Sequence, residues 1–131
     1  MMLLLLLLAS ASAELDALDQ AVARCDRAAS TPAFAAESER RSQFQLDAYK
    51  EQEAIVAARL DLAQRRREFR EAAVPKKASV EVQQLTLEEA LIEDRQRALN
   101  DQRMLEGLRR DAMDAMRRHF LAHCATGKDK K

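Results

Sequence analysis

Tryptophan is absent from the chain, and glycine and proline occur only twice each in 131 residues. So few turn formers cannot punctuate a β-rich fold. With glycine confined to Gly107 and Gly127, no glycine-rich loop exists to cradle a phosphate. Aromatic residues make up 4%, too few and too scattered to form a platform on which nucleic-acid bases could stack. An excess of one charge is missing too. The 22 basic and 22 acidic residues cancel, so no global field draws the chain to nucleic acid or to an anionic membrane. No Lys or Arg precedes the N-terminal leucine run, and no Cys follows it closely enough to take a lipid.

What is present is a helix-forming composition. Ala, Leu, Glu, Arg and Gln dominate, with 34% charged and 47% hydrophobic residues, the signature of long helices or coiled coils. The first thirteen residues, MMLLLLLLASASA, read as a cleavable export signal, an apolar run ending in an A-x-A pattern. Cleavage is expected after Ala13, with Ala11 as the alternative. The run is shorter than the roughly 20 apolar residues that span a bilayer, so a retained anchor is not expected. Residues 14–124 have the length of one helical domain, expected in the periplasm or outside the cell, followed by a disordered basic tail over 125–131.

Apolar spacing predicts three helices, over about 14–29, 32–74 and 86–124. In the first, Leu15, Leu18, Val22 and Cys25 share one face. Ser30-Thr31-Pro32 reads as a helix start, a hydroxyl cap followed by proline in the first turn. Helix one therefore either folds back there or continues, kinked, into helix two. Phe34, Ala48, Ile55, Leu62 and Phe69 fall on one seven-residue register, with Phe44, Ala58 and Ala72 beside it, a coiled-coil seam. Arg41 interrupts that register, and Glu37, Glu51 and Arg65 interrupt its companion. Leu46, Tyr49, Val56 and Leu60 form a second stripe, which implies contact with more than one neighbour. Pro75 marks a turn near 75–79. Thereafter Thr86 and Glu89 form a capping box, with Ser79 as the earlier start. In the last helix Leu91, Ala98, Leu105, Ala112 and His119 share one register, with Leu87, Leu108 and Ala115 beside it. Leu99, Met113, Met116, Phe120 and Cys124 line another. The expected fold is all-α: a long antiparallel, coiled-coil-like hairpin with a short N-terminal helix that continues or packs against it.

Cys25 and Cys124 lie at nearly equal distances from Pro75, so a straight hairpin brings the two thiols together, and export permits a disulfide. A fold-back at Ser30 would carry Cys25 away from Cys124, so disulfide and fold-back are competing expectations.

Signals for chemistry are sparse. His119 and His123 are four apart on one helical face and could share a metal ion, with Cys124 as a third ligand, but residues at this spacing are common on any helix. Paired acids such as Glu88 and Glu89 have no apolar pocket to raise a pKa. Glu93 with Arg97 and Glu106 with Arg110 read as a solvated, salt-bridged face. No enzyme activity and no cofactor are expected. Arg65, Arg66, Arg67, Arg70, Lys76 and Lys77 cluster toward the turn, a basic tip suited to an anionic envelope surface or an acidic partner. The functional expectation is a non-enzymatic helical interaction or structural module of the cell envelope, chaperone-like or self-associating, whose partner is a protein or a second copy and not nucleic acid. The alternative is a metal- or small-ligand-binding module built on the C-terminal His/Cys cluster.

Overall fold

The computed structural model describes residues 2–72 and 78–124, with side chains over 11–72 and 80–124. Every element among them is α-helical: α1 (Met2–Ala23), α2 (Arg27–Glu71) and α3 (Ala78–His123). Residues 73–77 of the turn, Lys76 and Lys77 of the basic tip, and the basic tail lie outside the described residues. The leader's backbone, from Met2 on, belongs to α1. Among the described residues no helix is long and apolar enough to cross a membrane.

The first two helices meet at a corner that was not where Ser30-Thr31-Pro32 put it. Cys25 adopts a left-handed backbone, φ 53°. Its N–H donates to the Val22 carbonyl at 3.0 Å, and the Asp26 N–H to the Ala21 carbonyl at 2.9 Å. This pair of bonds is a Schellman motif, in which the left-handed residue is usually glycine. Asp26 closes the corner from the other side. Its carboxylate accepts from the Ala29 N–H at 3.1 Å, the bond of an N-cap residue. Pro32 consequently lies inside α2, where its missing N–H removes one helical hydrogen bond. Asp26→Ala is expected to cost about 1 kcal/mol of stability, the usual worth of such a cap, as read from urea unfolding followed by circular dichroism.

The start of α3 differs as well. The helix begins at Ala78, close to the Ser79 alternative. The Thr86 hydroxyl donates to the Val82 carbonyl at 2.8 Å within the helix, and Glu89 is bonded to Arg66, so no capping box forms there.

Packing groups the chain into two compact units. The first holds Met1–Ser42 with Gly107–Lys131, and the second Gln43–Glu106. In the first, α1 packs on α2 and α3 instead of continuing α2. Leu18, Val22, Met113, Phe120 and Cys124 form its buried cluster, with Leu15, Ala33, Phe34 and Met116 against it. The rings of Phe34 and Phe120 lie 5.8 Å apart, while Arg41 reaches Asp114, so α2 and α3 run antiparallel here.

The second unit is a two-helix pair. Ala48, Ile55 and Leu62 of α2 pack on Ile92 and Leu99 of α3, supported by Phe44, Ala58 and Leu85. The α2 residues keep the seven-residue register read from the sequence. In α3 only one of the two stripes read from the sequence turns inward. Leu99, Met113, Phe120 and Cys124 are buried, whereas Leu87, Leu91, Leu105 and Leu108 are exposed. Leu85, Ile92 and Leu99 repeat every seventh residue and turn the same face inward. Burying each such side chain stabilises by about 1.5–3 kcal/mol.

Candidate functional site

Cys25 and Cys124 form a disulfide, with Cα atoms 5.3 Å apart. It coexists with the fold-back of α1, and the two expectations cease to compete because the corner lies at Cys25 itself. A turn at Ser30 would have carried Cys25 along the bundle, whereas a turn at Cys25 leaves it beside the end of α3. Three helix termini are secured together there. The Schellman motif ends α1, Asp26 starts α2, and the Arg27 guanidinium donates to the Cys124 carbonyl at 2.6 Å, satisfying an orphan carbonyl at the end of α3.

This bond also decides what the C-terminal cluster can hold. The His119 and His123 rings lie 4.4 Å apart, on one face as the spacing requires, and both residues are exposed. The Cys124 sulfur is committed to Cys25, so it supplies no thiolate. Among the described residues no group of three His, Cys, Asp or Glu is placed to share a metal ion.

The most enclosed charges in the first unit were visible in the sequence only as faults in the seam. Glu37 is 6% exposed. It accepts from Arg40 at 2.7 and 3.0 Å, from Arg41 at 3.4 Å, and from Arg109 of α3 at 3.3 Å. Burial pushes its carboxyl up, but hydrogen bonds from Arg40 and Arg109, with their charges, outweigh that and hold it below the ordinary carboxylate value. Arg109 also reaches Glu14 of α1 at 3.5 Å, and its Nε is buried without a partner. Arg41 pairs with Asp114 at 2.8 Å, and this bond holds the Asp114 carboxyl below its ordinary value.

The interruptions in the second unit follow the same rule. Arg95 grips Glu51 with two bonds, 2.9 and 3.0 Å. Arg65 pairs with Glu88 and with Asp61, and Arg66 with Glu89 at 2.5 Å. Hydrogen bonds from these arginines depress Glu51, Glu88 and Glu89. Gln52 and Gln96 exchange side-chain hydrogen bonds at 3.0 and 3.1 Å. Each charge in the α2 seam thus meets an opposite charge on α3, which fixes the register of the antiparallel pair.

Of the six basic-tip residues the structure describes four, Arg65, Arg66, Arg67 and Arg70. Arg65 and Arg66 are neutralised across the helix pair, and among the described residues only Arg67 and Arg70 of the four arginines carry no ion pair.

What remains open is apolar. The second stripe of α2 is solvent-facing, with Leu46 at 47%, Tyr49 at 61%, Val56 at 46% and Leu60 at 68% exposure. On α3, Leu87, Leu91 and Leu105 are exposed as well. The antiparallel course of the helices and their 3.6-residue turn put these α2 and α3 stripes on opposite faces of the pair. No family model matches this chain, and neither a curated protein nor a solved structure does so.

Proposed function

We propose that the protein is an exported, non-enzymatic interaction module that binds another protein chain through the apolar stripes of its second unit. The observation that carries this reading is the exposed α2 stripe, Leu46, Tyr49, Val56 and Leu60. Single exposed leucines are ordinary, but four large apolar residues on one helical face, at steps of three, seven and four, mark a surface meant to be covered. Such a row is how a helix presents itself to a partner helix or groove. The disulfide supports an oxidising compartment, in keeping with the leader. The ion pairs across α2 and α3 hold the helix pair, and with it the two stripes, in a fixed register.

A photo-crosslinking residue in place of Tyr49, introduced into the full chain in intact cells, tests the reading. Adducts to protein are expected from position 49 and not from Ala54, which is exposed but off the stripe, and they are expected to disappear with Leu60→Glu. If position 49 and position 91 of the α3 stripe both yield nothing, the interaction reading is wrong.

A further inference from the structure

The α2 stripe is longer than its apolar members, and its charged members point to what covers it. From Leu46, positions alternately three and four apart are Tyr49, Glu53, Val56 and Leu60. The same steps continue to Ala63, Arg67 and Arg70. All are exposed, and at about 100° per residue they lie well round the helix from Ile55, which faces α3. This is a second complete heptad seam on one helix, acidic in its first half and basic in its second. Glu53, Arg67 and Arg70 make no ion pair or side-chain hydrogen bond among the described residues, in contrast to the charges on the inner seam.

We infer that a second copy of this chain covers the stripe, its α2 antiparallel to the first, about a two-fold axis near residue 58. That register sets Val56 on Leu60 of the second copy, Glu53 on Ala63 and Tyr49 on Arg67. Helical side chains lean toward their own N-terminus. In an antiparallel pair Glu53 and the second copy's Arg67 therefore lean toward each other, one turn apart. A parallel pair would stack Glu53 on Glu53 and Arg67 on Arg67, like charges along the whole seam. The two-fold contact is isologous and closes at the dimer. Packing the α2 stripe on the α3 stripe of another copy would instead be heterologous and open-ended.

The inference rests on the interaction reading above and names the partner. Sedimentation equilibrium on the full, oxidised chain tests it. The expected result is a monomer–dimer equilibrium that Leu60→Glu shifts toward monomer by at least about tenfold, as for a central contact. Glu53→Arg and Arg67→Glu are each expected to weaken the dimer by about tenfold, and the two together to restore most of that loss, because charges reversed on both sides pair again. Leu91→Glu, on the other face, leaves the mass unchanged. The substituted positions are exposed, and circular dichroism checks that each variant is as helical as the parent, with Leu60→Gln replacing Leu60→Glu if it is not.

A wild-type monomer at every concentration overturns the inference. So does a dimer indifferent to both single reversals, which would be parallel, and so does an assembly that grows beyond two or depends on Leu91. Crosslinking from position 49 separates the two levels. A monomer that still forms adducts to other proteins overturns self-pairing alone, and a monomer with no adducts from position 49 or position 91 overturns the interaction reading as well.

Discussion

Replacing both cysteines with alanine is expected to lower the free energy of unfolding by about 4–5 kcal/mol, measured by urea unfolding of the oxidised parent against Cys25→Ala/Cys124→Ala. The magnitude follows from the loop. The two residues are 99 apart, and closing about 100 residues removes chain entropy from the unfolded state worth about 4.7 kcal/mol. Two features of the site bear on that figure. Cys124 is buried against Leu18, Val22, Met113 and Phe120, so the alanine at 124 also leaves a small void. Cys25 holds a left-handed backbone, which costs a residue with a Cβ about 1–2 kcal/mol. Cys25→Gly/Cys124→Ala should therefore be more stable than the double-alanine variant by about 1 kcal/mol, since glycine relieves that cost. A loss below about 1 kcal/mol for the double-alanine variant would mean that the bond does not constrain the unfolded chain, contrary to the entropic account.

The disulfide was legible because it depends on coarse geometry alone, the distances of two residues from one proline. The corner beside it was not. Sequence patterns place a left-handed helix end at glycine, and here a cysteine occupies the position while Asp26, with no apolar run directly after it, provides the cap. Ser30-Thr31-Pro32 carried the stronger formal signal, but Ser30 is wholly buried in α2, and among the described residues its hydroxyl has no hydrogen-bond partner, so it caps nothing. In α3 two apolar stripes of similar strength lie side by side. Which one turns inward depends on Ile92 and Leu85 meeting Ile55 and Leu62 of α2, a pairing between distant segments that periodicity along one segment does not contain. The charged seam positions were visible as irregularities. Their meaning was not, because an isolated Arg41 or Glu37 reads as a defect until the opposing helix supplies Asp114 or Arg109. The spacing of the second α2 stripe implied a second neighbour, since one helix cannot turn both stripes toward the same one; among the described residues no neighbour covers it, and it stays exposed.

Removing Glu37 should be among the most damaging single changes in the first unit, and its effect should be recoverable. Glu37→Ala is expected to cost about 3–5 kcal/mol, the range for breaking a buried pair while its partner stays behind. The partner is Arg109, whose side chain is only 14% exposed and whose Nε already lacks an acceptor. Among the described residues its other acid is Glu14, at 3.5 Å and largely exposed, which is too weakly held to compensate. Taking away both charges is different. Glu37→Leu/Arg109→Met removes the desolvation cost of each and fills the space with apolar side chains, so it should unfold within about 1 kcal/mol of the parent, or later. Titration supplies an independent reading of the same cluster. The folded carboxyl lies below its ordinary value of 4.5, and a depressed acid stabilises the fold above its unfolded pKa. That contribution is then lost as pH falls through the folded pKa. The parent should lose more stability below pH 4.5 than the double variant, the difference isolating Glu37 from Glu51, Glu88, Glu89 and Asp114, which are depressed in both. If the double variant is as unstable as Glu37→Ala, the cluster contributes through hydrogen bonds that leucine and methionine cannot replace. The charges would then be needed to hold α1, α2 and α3 in register, beyond being tolerated in their midst.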